Sequence, residues 1–293
     1  MVMNNQIEQL AIIGATASGK SSIAIDIAKK TNAIILSLDS LSIYKEIDIV
    51  SAKPTLEERE GVEHYGIDVI YPNEPFDVTI FADIYRECYQ KALSNGQNLI
   101  IVGGTSFYLK VLIDGISPLP PIDEAISQKI SDAMSNPKEV YRMLKDIDPQ
   151  YMANISPSDS YRIEKALAIY LATQSSPSSY FDSHPPEPII SDSLAIYDIP
   201  TDRAVLRERI SKRTKSMISN GLIDEVAYLE KRYTRSPNSM KAIGIKETLD
   251  YLDGLYTIKE LEEKITTNTA RLAKRQSTFN RSQFKDVRDI STI

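Results

Sequence analysis

The chain has 293 residues, 42% of them apolar and 25% charged, with 11 glycines; these proportions exclude collagen-like, low-complexity and wholly disordered chains and suit one large domain or two modest ones. A single cysteine, Cys88, excludes an intrachain disulfide or a thiolate metal cluster. The opening MVMNNQIEQLAIIG lacks a basic start followed by a long apolar stretch, and no run approaches the roughly 20 apolar residues that span a bilayer, so a cytoplasmic protein without membrane contact is expected. The net charge of −6 is unevenly divided, because residues 201–293 hold 19 Lys or Arg against 13 Asp or Glu and residues 1–200 hold 15 against 27. A basic third on an acidic chain fits a localised polyanion site, with solvated helix faces as the alternative.

Leu10 to Ile13 is a short apolar run that predicts a strand, and Lys20 to Lys30, with Ile23, Ala24, Ile27 and Ala28 at helical spacing, predicts a helix. Ala33–Leu38 reads as a second buried strand, Gly66–Ile70 as a third and Asn98–Val102 as a fourth. Between the last two, Asp77 caps a helix whose apolar stripe is Val78, Phe81, Ile84, Tyr85 and Cys88, with Gly96 as its stop. Alternating strands and helices imply a parallel sheet covered on both faces. Eleven of the 15 prolines then fall between Pro118 and Pro200. They mark an all-helical insertion over residues 118–193, with helices near 122–134, 138–147 and 159–173. A fifth strand at Leu194–Ile199 and helices near 202–219, 222–231, 245–252 and 259–284 follow. The expected fold is α/β, a parallel-sheet core begun by residues 1–117 and completed by residues 194–293.

GATASGKS, Gly14 to Ser21, fits the phosphate-loop pattern G-x-x-x-x-G-K-[ST] between an apolar strand and a helix. Gly14 and Gly19 let the backbone curl so that N–H groups across Ala15, Thr16, Ala17 and Ser18 point at one anion, helped by the helix N-terminus. Lys20 neutralises a phosphate oxygen, and Ser21 offers a hydroxyl to a magnesium ion bridging two phosphates. Such a P-loop reports a diphosphate and not its fate. A guanine signature N-K-x-D is absent, and the fourth strand ends in VGGTSFY instead of the acidic residue of a helicase-type ATPase, so a small-molecule kinase remains as one reading.

Asp39, at the carboxyl end of the second strand, is a general base, a holder of magnesium-bound water or a turn cap. Thr105, after Gly103 and Gly104, hydrogen-bonds a substrate or caps a helix. Arg209, Lys212 and Arg213 share a helix face, which is a diphosphate-binding ridge or a solvated surface. The two histidines, His64 and His184, have no metal-ligand company and read as structural or exposed.

Further segments narrow the choice: LDSLSIYKEIDIVSAKPT (38–55), VGGTSFYLK (102–110), TDRAVLRERISKRTKSMISNGLIDEV, SMKAIGIKE and NTARLAKRQSTFNR. With GATASGKS they closely resemble the tRNA dimethylallyltransferases, also called tRNA isopentenyltransferases, in that family's order and spacing. The likeness covers nearly the whole chain and is weakest in the helical insert. It implies transfer of a dimethylallyl group from dimethylallyl diphosphate to N6 of the adenosine immediately 3′ of the tRNA anticodon, with release of diphosphate. The phosphate loop, often labelled ATP-binding, then stabilises a leaving group with Mg2+, and no phosphoryl group moves.

By the same resemblance Asp39 is the base, Thr105 and Arg213 act at the reacting centre, and Ser40, Leu41 and Ser42 line the adenine pocket. The insert faces the tRNA anticodon stem-loop. The RNA-contacting stretches implied are Tyr161 to Lys165 with Arg162, Lys241 to Lys246, and Lys274 to Arg281 with Arg275, Gln276 and Phe279. Relatives often carry Trp at the position of Phe279 and Arg at that of Ser127, which alters one stacking and one backbone contact. A monomer is expected, and a noncatalytic RNA-binding protein that retains the loop is the rival from another class.

Overall fold

The computed structural model describes residues 7–190 and 193–292, so the expectations for Met1–Gln6 and for the insert's last residues, 191 and 192, lie outside the described residues. The chain forms two compact units, Met1–Lys110 with Ile190–Ile293, and Val111–Ile189. In chain order the elements are β1 (Gln9–Ile13), α1 (Lys20–Thr31), β2 (Ala33–Leu38), β3 (His64–Tyr65), α2 (Val78–Asn95), β4 (Asn98–Gly103) and α3 (Ser106–Asp114). The second unit then holds α4 (Glu124–Ala133), α5 (Pro137–Ile147), α6 (Pro149–Met152), α7 (Ser160–Thr173) and α8 (Pro177–Ser183). The first unit is completed by β5 (Leu194–Asp198), α9 (Arg203–Ser219), α10 (Leu222–Tyr233), α11 (Ile245–Leu252), α12 (Ile258–Gln283) and β6 (Val287–Asp289).

The six strands form one sheet in the order β3-β2-β4-β1-β5-β6, and every pairing is parallel. The central strands are apolar apart from Gln9, Ser37 and Asn98 because both faces are covered. Ala24, Ile27 and Ala28 of α1 pack on Ile12, Ile35, Ile100 and Val102, while Ile34, Leu36, Leu99 and Ile101 of the opposite pleat are equally buried. Helix α2 packs against β2 and β4 through Phe81, Tyr85, Cys88 and Ala92. Asp77 caps it by accepting from the N–H groups of Thr79 and Ile80 at 2.9 and 3.1 Å, a contact worth about 1 kcal/mol, and Gly96 ends it in the left-handed conformation.

The expected third strand at Gly66–Ile70 is corrected: the strand is His64–Tyr65, and Gly66 ends it. Gly66 has φ +73°, and a Cβ there would lie 2.9 Å from the Ser37 carbonyl oxygen, so the chain turns away from β2 at that point. Beyond it Asp68, Val69 and Ile70 bond to residues 42–45 outside the sheet, with an isolated bridge between Tyr44 and Ile70. Strand β6 has no expectation to match, because three residues carry too little pattern.

The second unit has its own core of Ile130, Val140, Leu144, Met152, Ile155, Ile163, Ala166 and Leu167. Four of its helices are capped by side chains, with Asp123, Asp148, Asp159 and Ser176 accepting from first-turn N–H groups, whereas α5 starts on Pro137 without a side-chain cap. Ser127 is exposed on α4, and Tyr161, Arg162 and Lys165 sit in the first two turns of α7. The Lys165 ammonium lies 5.5 Å from the Tyr161 ring centroid, and Arg162 pairs with Asp159 at 3.6 Å.

Candidate active site

A parallel sheet brings the loops that follow β1, β2 and β4 to one edge, the carboxyl ends of the strands, where open α/β sheets bind ligands. There the first unit forms a cleft of about 860 Å³ lined by Thr16 to Ser21, Asp39 to Ser42, Gly103 to Thr105, Arg209, Arg213 and Gln276. Ala15 lies just outside, against Leu206, Ile210 and Ala273 beneath the loop. The loop takes its shape from Gly14 at φ +147° and Gly19 at φ +96°, while Ala17 also adopts a left-handed φ of +64°. A side chain at Gly14 would place its Cβ 3.2 Å from Asp198 Oδ1 and 3.3 Å from Ser18 Oγ, so close packing as well as backbone freedom demands glycine there.

Lys20 is almost fully buried, and its ammonium donates to the Ala15 carbonyl at 2.7 Å. Burial lowers its pKa from 10.5 to about 8; Asp39 and Asp198 pull it up and Arg213 pushes it down. The Ser18 hydroxyl is buried and has no partner among the described residues, as expected of a donor reserved for a phosphate oxygen. Burial lowers the pKa of Arg213, and the carboxylate of Asp39 opposes that shift. The Arg213 guanidinium donates to Thr16 Oγ1 at 3.4 Å and to the Ser51 carbonyl at 3.3 Å, whereas Arg209 donates to the Ser18 carbonyl at 3.1 Å. Cations from α9 therefore hold the phosphate loop at Thr16 and Ser18.

One oxygen of Asp39, Oδ1, accepts from the N–H groups of Leu41 and Ser42 at 2.8 and 3.1 Å. This fixes the carboxylate and, among the described residues, leaves Oδ2 without a protein donor. Ser40 donates its N–H to Thr105 Oγ1 at 3.3 Å, and Thr105 donates its own N–H to the Leu38 carbonyl at 3.0 Å, so the β2 and β4 exits are stitched together beside Asp39. Ser21 lines the same cleft. A hydroxyl and a carboxylate are hard oxygen donors, and no group of three or more His, Cys, Asp or Glu is poised to hold a metal among the described residues. That donor set fits Mg2+ held chiefly by substrate phosphates, and not a dedicated protein cage.

Two features were not singled out from sequence. The carboxylate of Glu225 on α10 accepts three successive backbone N–H groups, from Asp48 at 2.9 Å, Ile49 at 2.7 Å and Val50 at 3.0 Å. It thereby fixes the loop whose Ser51 carbonyl receives Arg213; buried Lys53 ties the same loop to Asp48 at 2.7 Å and to Asp68. The acidic pair Asp224 and Glu225 inside GLIDEV was the available signal for Glu225, but a backbone carbonyl such as that of Ser51 leaves none. The second is Asp198, at the carboxyl end of β5 beside Gly14, whose pKa is raised by burial against the pull of the Ile199 N–H and Lys20. His64 also lines the cleft, but its Nδ1 is occupied by the Val62 carbonyl at 2.8 Å.

The remaining RNA candidates of this unit surround the cleft elements. Lys241 and Lys246 are exposed at the turn into α11, where Gly244, with φ +96°, lets the turn pack on Val50: a Cβ there would lie 2.5 Å from Val50 Cγ2. Lys274, Arg275 and Arg281 are exposed along α12, and Phe279 is half-buried edge-on to Phe284 at 6.4 Å. The Gln276 amide points inward, accepting the Thr16 N–H at 2.8 Å.

The model of the family described as IPP transferase matches residues 42–283. A tRNA dimethylallyltransferase of Sulfurovum sp. is 58% identical over 285 residues, covering 97% of this chain and 95% of the relative. One from Nautilia profundicola is 56% identical and covers 94% and 93%. Among solved structures, the tRNA isopentenylpyrophosphate transferase of Bacillus halodurans superposes with a TM-score of 0.71 at 32% identity, covering 96% of this chain and 89% of that one. A eukaryotic dimethylallyltransferase acting on tRNA shares the fold, with a TM-score of 0.83 at 24% identity over 94% of this chain and 70% of that one.

Proposed function

This chain belongs to the IPP transferase family, the tRNA dimethylallyltransferases, and from that premise we propose how its cleft carries out prenyl transfer. The reaction moves a dimethylallyl group from dimethylallyl diphosphate to N6 of the adenosine immediately 3′ of the anticodon and releases diphosphate. The observation that carries this reading is the meeting, in one cleft, of a cation-gripped phosphate loop and a fixed carboxylate with one unengaged oxygen. The family membership does not favour the kinase reading.

The diphosphate sits on the N–H groups of Gly14 to Gly19 with Lys20 and Arg213 against its oxygens and the Ser18 hydroxyl as a further donor. Adenine N6 attacks the allylic carbon as the carbon–oxygen bond to diphosphate breaks, and Asp39 Oδ2 takes the N6 proton. Thr105 orients the adenine beside Ser40, Leu41 and Ser42. Ser21 would offer its hydroxyl to a magnesium ion, which would supply neutralising charge to the leaving group. The amine must be unstacked to be reached, so a single-stranded anticodon loop is the substrate form. Lys241, Lys246, Lys274, Arg275 and Arg281, with Ser127, Tyr161, Arg162 and Lys165 of the second unit, contact RNA phosphates, and Phe279 contacts a base.

Among the described residues no helix is long and apolar enough to cross a membrane. The test is Asp39→Asn: it should bind a nonreactive thio analogue of dimethylallyl diphosphate and an anticodon stem-loop as before, while turnover falls about a hundredfold or more. Loss of both bindings with the activity would assign Asp39 to the structure of the loop.

A further inference from the structure

Gln276 reaches the cleft from α12, where the resemblance places RNA contacts, but its geometry points elsewhere. We propose that Gln276 is a positioning residue that brackets the phosphate loop to the Gly104–Thr105 segment, holding the diphosphate wall and the adenine wall of the cleft in one register. The proposal rests on the reading of the cleft given above.

The Gln276 Oε1 atom accepts the Thr16 N–H at 2.8 Å in a partly buried setting, across 260 residues of sequence. The amide nitrogen of the same side chain, Nε2, lies close against Gly104. A Cβ at Gly104 would overlap Gln276 Nε2 and lie 3.2 Å from Cδ. Gly104 does not have a left-handed φ, so a side chain there meets no backbone strain; its Cβ would instead push the Gln276 amide, the mobile end of a flexible side chain, out of place.

Both ends of the bracket lead directly to reacting groups. Thr16 accepts Arg213 through its hydroxyl, and Thr105, next to Gly104, accepts the N–H of Ser40 beside Asp39. Only a neutral acceptor serves this position well. Leucine would strand the Thr16 N–H, and glutamate would set a negative charge beside the diphosphate.

The experiment measures two affinities by titration calorimetry, for the thio analogue of dimethylallyl diphosphate and for an anticodon stem-loop, in wild type, Gln276→Leu, Gln276→Ala, Gly104→Ala and the Gly104→Ala/Gln276→Ala pair. Gln276→Leu should weaken the analogue about tenfold, as expected for one buried donor left unpaired, and leave stem-loop affinity within about twofold. Gly104→Ala should weaken the analogue alone, yet cost nothing further in the Gln276→Ala background, where the added methyl has room. Thermal midpoints identify any variant that fails to fold; if a corner of the cycle is lost in this way, Gln276→Leu against wild type, with its two affinities, still decides the proposal. Weakened stem-loop binding with analogue affinity intact would make Gln276 an RNA contact and overturn the proposal, as would equal costs of Gly104→Ala in both backgrounds. Wild-type protein that binds no analogue would instead overturn the reading of the cleft itself.

Discussion

Replacing Glu225 tests whether catalysis depends on a carboxylate that touches no substrate. Three backbone N–H groups converge on it, at 2.9, 2.7 and 3.0 Å. Of these donors, that of Asp48 is exposed and can turn to water, while those of Ile49 and Val50 are partly buried. Leaving a buried donor unsatisfied costs about 1–3 kcal/mol, so two partly buried donors put the loss for Glu225→Leu at about 2–4 kcal/mol. Glu225→Gln keeps an acceptor for Asp48 and Ile49 but can turn an NH2 group toward the Val50 N–H, for about half that loss. The same loop presents the Ser51 carbonyl to Arg213. Loosening it should therefore lower kcat severalfold through Arg213 while leaving stem-loop affinity unchanged. Urea denaturation gives the stability change and steady-state prenylation gives kcat. A Leu variant with wild-type midpoint and wild-type kcat would refute the argument that this carboxylate organises the loop.

Two further predictions concern the cations of the phosphate loop. With a pKa lowered to about 8, Lys20 is protonated at neutral pH and loses its charge just above it, so kcat/KM for dimethylallyl diphosphate should fall as pH rises through that value; a flat alkaline profile would contradict this. In substrate-free protein the linkage has the opposite consequence, since between about 8 and 10.5 the unfolded chain binds the extra proton and this group's contribution to stability rises with pH. Arg213→Lys cannot reproduce the fork to Thr16 Oγ1 and the Ser51 carbonyl, and should lower kcat about a hundredfold without weakening RNA binding. Weakened stem-loop binding in that variant would place Arg213 in the RNA interface.

Much of this was legible in the sequence because the signals were local. GATASGKS declares its own turn, Asp77 and Gly96 bracket α2, and continuous apolar runs mark the central strands. The third strand was misplaced because Val69 and Ile70 look like a strand by composition, whereas the left-handed turn at Gly66 breaks the pairing just before them. Asp39 and Thr105 stood out because they end strands. The support beneath them did not, because it depends on contacts across long stretches of chain: Glu225 with residues 48–50, Arg213 with Ser51, and Gln276 with Thr16. Asp198 escaped notice for a related reason, since the acidic strand end was sought at β4 and is the last residue of β5.

The most direct test of the central claim is mass spectrometry of an unmodified anticodon stem-loop incubated with the protein, magnesium and dimethylallyl diphosphate, alongside a reaction supplied with ATP. The account predicts that the RNA gains one dimethylallyl unit on the adenosine 3′ of the anticodon, with release of diphosphate, and is unchanged by ATP. An RNA left unmodified by the prenyl donor, or phosphate transferred from ATP to an acceptor, would contradict it.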